Sequence, residues 1–226
     1  MLNLIAASAG FLLIHFGVSG TKLRDTLVAR LGAGPYRGAF ALASILGLVW
    51  MIYAFRHAPA MPLWGLLGFR PAAYALVLIA FVFAVIGIAT PSPTRVGMES
   101  RLKPGPDLAR GMVRITRHPF LWAVALWALV HLIINGELAA LILFGSLLVL
   151  ALGGTAAIDA KRRRAFGDRW AQFAAVTSNV PFAAIASGRN QLLPALREIG
   201  VWRPLAAIVV YIVAFYLHGR LGPPLT

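Results

Sequence analysis

The sequence predicts an all-α, polytopic membrane protein, a bundle of about six transmembrane helices. Of its 226 residues, 60% are hydrophobic and only 12% are charged, and the mean hydropathy is +0.80. Soluble domains usually carry about 45–50% apolar and about 25% charged residues, so this composition excludes an ordinary soluble protein and a disordered chain. The chain has no cysteine, which excludes disulfides and thiolate ligation of a metal or haem.

Six apolar stretches account for the predicted helices, and none of the 28 charged residues lies in any of them. Four stretches have 18 to 21 residues, close to the roughly 20 that cross a bilayer core. The fourth of the six stretches, Phe120–Asn135, is shorter, but it can extend backward through Pro119, because proline is tolerated in the first turn of a helix. The sixth can extend back past Arg203 if that side chain snorkels. The stretches are Leu2–Gly20, Gly38–Phe55, Ala72–Thr90, Phe120–Asn135, Leu138–Ile158 and Pro204–Leu217.

The connections between the stretches also carry structural signals. Only Gly136 and Glu137 separate the fourth stretch from the fifth, which predicts a tight antiparallel helical hairpin. Trp170 and Phe173 are expected as anchors at the bilayer surface. The sequence has no internal repeat, and we expect one domain over residues 1–226. Three polar segments are expected to be helical or to cap a helix: Leu108–Thr116 with Asp107 as its cap, Asp159–Thr177, and the amphipathic Leu192–Ile199.

The basic residues are distributed unequally between the two sides of the predicted bundle. The chain has 21 Lys and Arg against 7 Asp and Glu, a formal net charge of +14. Loops after the first, third and fifth stretches hold 18 of the 21, and the remaining 3 lie on the other side. The cytoplasmic loops of membrane proteins usually carry such an excess of basic residues. The termini lie on the opposite side of the predicted bundle from these loops, so we expect both termini outside the cytoplasm. This placement accounts for the net charge, and a nucleic-acid partner is therefore not expected.

Two histidines, His15 and His131, lie inside the apolar stretches. An ionisable residue in such a stretch is a functional hypothesis by default. The alternative is a neutral histidine that hydrogen-bonds a neighbouring helix. Two intramembrane histidines in a chain without cysteine favour a metal or haem, because imidazole is a common haem ligand. On upright helices the two imidazoles differ in depth by about 10 Å, so a shared iron requires tilted helices.

A second group of candidates lies at the predicted start of the fourth helix. The stretch RITRHP contains Arg114, Arg117 and His118. Arginines beside a helix start can bind a phosphate or carboxylate. The alternative is that these basic residues only anchor the cytoplasmic end of the helix. Arg37, at the start of the second helix, has the same alternative interpretation. The sequence has no zinc-protease, phosphate-loop or paired-cysteine pattern.

Four motifs together resemble the NnrU family of bacterial membrane proteins. They are HFGVSG at residues 15–20, PYR at 35–37, RITRHP at 114–119 and TSNVPF at 177–182. Their order and spacing extend the resemblance over essentially the whole chain. The name of that family comes from a gene linked to nitric oxide and nitrite metabolism in denitrifying bacteria. The resemblance implies a bacterial inner membrane protein, with both termini then in the periplasm.

The same motifs are similar to the 15-cis-zeta-carotene isomerase family, whose members are membrane enzymes with haem b. This resemblance implies haem b here, with His15 and His131 at the axial positions. It also implies isomerase-like, redox-dependent chemistry on an apolar or small-molecule substrate. Arg37, Arg114 and Arg117 would then pair with haem propionates or fix the local helices. The fifth helix of the isomerase carries a histidine pair, which Leu138–Ile158 lacks.

A more distant resemblance is to the isoprenylcysteine carboxyl methyltransferases, which carry an RHP motif before a helical hairpin. It implies S-adenosylmethionine as cofactor, with Arg117 and His118 at its carboxylate. Leu121 and Ala123 stand where that family has Tyr and Gly. A third possibility is a non-enzymatic membrane component that binds a partner or lipid. The sequence leaves open whether the protein is an enzyme.

Overall fold

The computed structural model describes residues 1–65, 69–102 and 108–221. Within these ranges the chain is helical and forms no β-strand, which confirms the predicted fold class. Asp107, the expected helix cap, lies outside the described residues. The helices are α1 Leu2–Leu12, α2 Lys22–Leu31, α3 Ala33–Arg56, α4 Arg70–Ala89, α5 Met112–Ile115, α6 Pro119–Ile134, α7 Leu138–Phe166, α8 Asp168–Val176, α9 Ala183–Ala186, α10 Leu192–Ile199 and α11 Trp202–Leu221.

Among the described residues, five helical segments are long and apolar enough to cross a membrane, and α6 is a shorter apolar helix. The five are α1 with its continuation to Ser19, α3, α4, α7 and α11. Helix α6 begins at Pro119 and α11 at Trp202, so both expected backward extensions are present. Proline suits the first turn of α6 because an N–H there would lack a helical partner in any case.

The chain forms two compact units. The first comprises Met1–Arg70 and Ala128–Ala157, and the second comprises Pro71–Trp127 and Ile158–Thr226. The expectation of a single domain over residues 1–226 stays a prediction.

In the first unit, α1 packs along α3. Leu4, Ala7 and Phe11 of α1 are buried, and the Phe11 ring lies against Gly47, where a Cβ would come within 3.0 Å of it. Beyond Leu12 the helix widens into a π-helical turn, Leu13–Ser19. The turn brings the Phe16 ring onto Gly153 of α7, where a Cβ would lie 2.8 Å from the ring.

The hairpin between α6 and α7, also in the first unit, is closed by the segment 61–64. The N–H of Leu63 donates to the carbonyl of Gly136 at 2.6 Å, and the N–H of Leu138 donates to the carbonyl of Met61 at 3.0 Å. The Trp64 indole N–H donates to the carbonyl of Ile133 at 2.9 Å. These bonds satisfy backbone groups that helix ends leave without partners, a strong requirement near a membrane. The predicted tight hairpin is confirmed.

The second unit has two small apolar cores. One joins Ile86 of α4 to α5 and to Ala195 and Ile199 of α10. Helix α10 has the predicted bounds, whereas α5 occupies only part of the segment expected to be helical. Gly87 lets α4 approach α6 closely, since a Cβ there would lie 2.9 Å from the Pro119 ring.

The second core corrects one expectation. Trp170 and Phe173 were expected at the bilayer surface, but they are 2% and 0% exposed. They pack on one another and on Leu102, Ala109 and Val113. The prediction was wrong because α8 packs against other segments of the same unit. The aromatic side chains of an amphipathic helix are buried against protein when such a surface is available.

Gly136 provides a direct test of the hairpin closure. We expect Gly136→Ala to lower the melting temperature of the detergent-purified protein, because a Cβ there would overlap the Trp64 carbonyl, a backbone group. Gly38→Ala is the matched control. It lies in α3 with no atom within 4 Å of its Cβ position, so it should be neutral or slightly stabilising. Equal melting temperatures for the two variants would contradict this closure.

Candidate functional site

A buried ion cluster lies in the second unit. Asp159 of α7 accepts from Arg117 Nη2 at its Oδ2 and from His118 Nε2 at its Oδ1, both at 2.6 Å. The exposed fractions are 8% for Asp159, 9% for Arg117 and 3% for His118. One carboxylate therefore binds both residues that precede α6. Charge-assisted bonds of this length are strong, and the buried carboxylate has a positive partner.

Neighbouring groups complete the cluster around Arg117. Its Nη1 donates to the carbonyl of Thr177 at 3.1 Å, and its guanidinium carbon lies 5.6 Å from the centre of the buried Trp170 ring. The hydroxyl of Thr94 donates to the Arg117 carbonyl at 2.7 Å. The backbone N–H of His118 donates to the Thr116 hydroxyl at 3.2 Å. The site is consequently held from several directions, as a buried charge in a low dielectric requires.

Two motifs that the sequence singles out lie side by side in this unit. The Arg117 N–H donates to the carbonyl of Ser178 at 2.9 Å, and the Phe182 N–H donates to the carbonyl of Ile115 at 2.9 Å. The Trp122 indole N–H donates to the carbonyl of Asn179 at 2.8 Å. The RITRHP and TSNVPF stretches thus form one hydrogen-bonded assembly. Phe182 has φ 64°, the left-handed conformation that non-glycine residues rarely adopt.

Arg114 lies one turn away from the cluster and engages α10. Its Nε and Nη2 donate to the two carboxylate oxygens of Glu198, each at 2.9 Å. The Gly111 N–H donates to the same carboxylate at 2.6 Å. The hydrogen bonds from Arg114 hold the pKa of the Glu198 carboxyl below its ordinary value, although partial burial acts in the opposite direction. The carboxylate is therefore ionised at neutral pH, and the bidentate pair fastens α10 to α5.

The predicted haem ligand His15 lies in the π-helical turn of the first unit. Its Nδ1 is 2.8 Å from the carbonyl oxygen of Phe11. Because a carbonyl only accepts, Nδ1 carries a proton, so Nε2 is the nitrogen that could bind a metal. The ring centre lies 4.4 Å from that of Phe11 and 5.3 Å from that of Phe40. Single π-helical turns inside α-helices occur frequently at functional sites.

His131 and Arg37 also lie in the first unit. His131 is half-buried on α6, and its ring centre lies 4.9 Å from that of Phe144 on α7. Arg37 is exposed, and its Nε donates to the carbonyl of Ala33 on its own helix at 3.1 Å. Among the residues that the structure describes, no group of three or more His, Cys, Asp or Glu could hold a metal ion. A haem with two axial histidines does not require such a group.

The structure therefore divides the predicted site residues between the two units. It brings Arg117 and His118 together on Asp159 and pairs Arg114 with Glu198, whereas His15, His131 and Arg37 belong to the first unit. Asp159 is not among the site residues predicted from the sequence. Its position could have indicated it, because an acid that directly follows an apolar, membrane-spanning stretch requires a basic partner.

Comparisons with known proteins agree with the resemblances to the NnrU family and to 15-cis-zeta-carotene isomerase, whereas the methyltransferase resemblance stays a prediction. A model of the family described as "NnrU protein" matches residues 3–224. Two curated relatives are named 15-cis-zeta-carotene isomerase, chloroplastic. That of Arabidopsis thaliana is 27% identical over 212 residues, and that of Zea mays is 27% identical over 217 residues. Each match covers 92% of this chain and 57% of the relative, so the chain spans little more than half of their length. No solved structure matches.

Asp159→Asn tests the ion cluster. The variant keeps the shape of the side chain but leaves the Arg117 guanidinium buried without a counter-charge, a change that typically costs about 3–5 kcal/mol. We expect a melting temperature lower by about 10 °C in detergent. Asp25→Asn is the control. Asp25 pairs with Arg24, but its side chain is 73% exposed, so its loss should have little effect. An Asp159→Asn variant as stable as this control would contradict the cluster's structural role.

Proposed function

The chain belongs to the NnrU family, and we propose that it is a membrane haem b protein in which the imidazoles of His15 and His131 would hold the haem. The observation that carries the proposal is the hydrogen bond from His15 Nδ1 to the Phe11 carbonyl at 2.8 Å, made by a half-buried histidine in a π-helical turn. Metal-bound histidines almost always donate their other ring N–H in this way, which fixes the tautomer and the direction of the free nitrogen.

The surroundings of both histidines fit an apolar macrocycle. Phe11 and Phe40 flank His15, and Phe144 flanks His131. Such rings limit the access of water, and the hydrophobic shell around a haem influences its redox potential. His57 has the same type of bond, to the Tyr53 carbonyl, but it is exposed at the end of α3. The bond alone is therefore not specific, and its location in a half-buried π-helical turn distinguishes His15.

We propose a redox role for the protein. When bound, haem supplies an iron that changes between the ferric and ferrous states. The His15 bond to Phe11 would keep the imidazole oriented toward the group. The resemblance to the NnrU family implies a link to nitric oxide or nitrite metabolism, and the names of the curated relatives link the role to isomerase-type chemistry on an apolar substrate. Because the chain spans only 57% of those relatives, their activity enters here as part of the proposal.

We also propose a location and topology. The apolar helices require a lipid bilayer. The distribution of basic residues supports an orientation with both termini outside the cytoplasm, and the bacterial NnrU resemblance supports an inner membrane with periplasmic termini. The two curated relatives are named as chloroplastic proteins.

The methyltransferase alternative assigns Arg117 and His118 to the carboxylate of S-adenosylmethionine. Both side chains already bind Asp159 at 2.6 Å. A cofactor carboxylate would have to displace a buried, doubly bonded aspartate, which makes this reading less favourable than haem binding. A pairing of Arg37, Arg114 or Arg117 with a haem propionate stays a prediction from the sequence, as does a purely non-enzymatic, partner-binding role.

Visible spectroscopy of the purified protein tests the haem proposal. We expect a Soret band and a pyridine haemochrome of the b type at close to one haem per chain. His15→Ala and His131→Ala should each reduce or shift the band, because each removes an axial ligand. His57→Ala is the matched control and should leave the spectrum unchanged.

Three results would count against the proposal. A colourless wild-type protein, even with haem supplied during expression, would contradict haem binding. A spectrum insensitive to both ligand variants would contradict the ligand pair. Binding of S-adenosylmethionine that is lost in His118→Ala but retained in His131→Ala would favour the methyltransferase reading instead.

A further inference from the structure

Tyr36 has a buried hydroxyl that the fold does not satisfy. The residue lies in the first turn of α3 and is 7% exposed. Within the part of the chain that the structure describes, its hydroxyl oxygen has no hydrogen-bond partner. A phenol buried in this way loses its bonds to water without replacement, and native structures rarely retain such a group without a reason.

The position of Tyr36 connects it with His15. Phe40 lies one turn further along α3, and its ring is stacked on that of Tyr36 with a centre-to-centre distance of 6.0 Å. Phe40 also makes an edge-on ring contact with His15, at 5.3 Å. Tyr36 and His15 are therefore neighbours of the same aromatic ring. Tyr36 thus belongs to the same aromatic cluster as the residue that is proposed to hold the haem.

Arg24 contributes a positive charge beside the Tyr36 ring. Its guanidinium carbon lies 5.8 Å from the centre of the Tyr36 ring. One of its nitrogens donates to Asp25 at 2.9 Å, but the guanidinium has five N–H groups and retains further donors. A phenol O–H and a guanidinium together suit an anionic oxygen acceptor, and a carboxylate in particular.

We propose that the Tyr36 hydroxyl donates a hydrogen bond to a propionate carboxylate of the haem, with Arg24 as the counter-charge. The inference rests on the proposed function, since it assigns the acceptor to the same group that His15 ligates. Tyr36 is a binding residue in this account, and its hydroxyl gains its partner only when the haem is bound.

The test compares two porphyrins on haem-depleted protein in lipid nanodiscs. Haemin has free propionates, and haemin dimethyl ester lacks their charge. Tyr36→Phe should weaken haemin binding about tenfold, the effect of losing one hydrogen bond to a charged group, and should leave the binding of the dimethyl ester unchanged. Tyr53→Phe is the matched control on α3, 57% exposed, and should bind both porphyrins like the wild type.

A second measurement separates binding from packing. Before haem is added, Tyr36→Phe should melt at the same temperature as the wild type or higher, because it removes a buried polar atom that has no partner. A lower melting temperature would mean that the hydroxyl has a structural partner in the protein, which would overturn the inference.

The remaining outcomes are also distinct. Equal haemin affinity in wild type and Tyr36→Phe would overturn the inference and leave the haem proposal standing. An equal loss with both porphyrins would place the hydroxyl away from the propionate. Weaker binding of oleate alone in Tyr36→Phe would identify a fatty-acid carboxylate as the acceptor. Failure of the wild type to bind haemin would overturn the proposed function itself.

Discussion

Asp159 is the residue on which the second unit depends. It is a carboxylate within α7, directly after the apolar part of that helix, where a buried charge requires partners from the protein itself. Arg117 and His118 meet that requirement, each at 2.6 Å, and their positions fix where α6 begins. The bonds from Arg117 to Thr177 and Ser178 then determine the course of the chain that follows α8. Replacing this carboxylate would therefore affect several segments at once.

The two units use their ionisable residues differently. In the second unit, Asp159 and Glu198 engage the arginines and the histidine of the RITRHP stretch. In the first unit, Nδ1 of His15 donates to its own helix, and the His15 ring lies against Phe11 and Phe40. The ionisable residues of the second unit are thus paired with one another, whereas His15 has aromatic neighbours, and this difference motivates the haem proposal.

Much of the fold was predictable because the bilayer imposes helix length and polarity. The apolar stretches, the start of α6 at Pro119 and the bounds of Leu192–Ile199 all follow from local sequence. Long-range contacts do not. The burial of Trp170 depends on residues far from it in the sequence, such as Leu102 and Val113. Likewise, the π-helical turn that contains His15 lies where Phe16 contacts Gly153 of α7. An ionisable residue in an apolar stretch made His15 a candidate ligand from the sequence alone. Tyr36 became a candidate binding residue only because the structure shows that its hydroxyl is buried.

A double-mutant cycle between Arg117 and Asp159 tests the central claim most directly. The melting temperatures of Arg117→Met, Asp159→Asn and the double variant would be compared in one detergent. If the two side chains form a buried ion pair, the double variant should lose much less melting temperature than the sum of the two single variants, because removing both charges leaves no uncompensated charge between them. Additive losses would contradict the account, since they would mean that the two residues stabilise the protein independently.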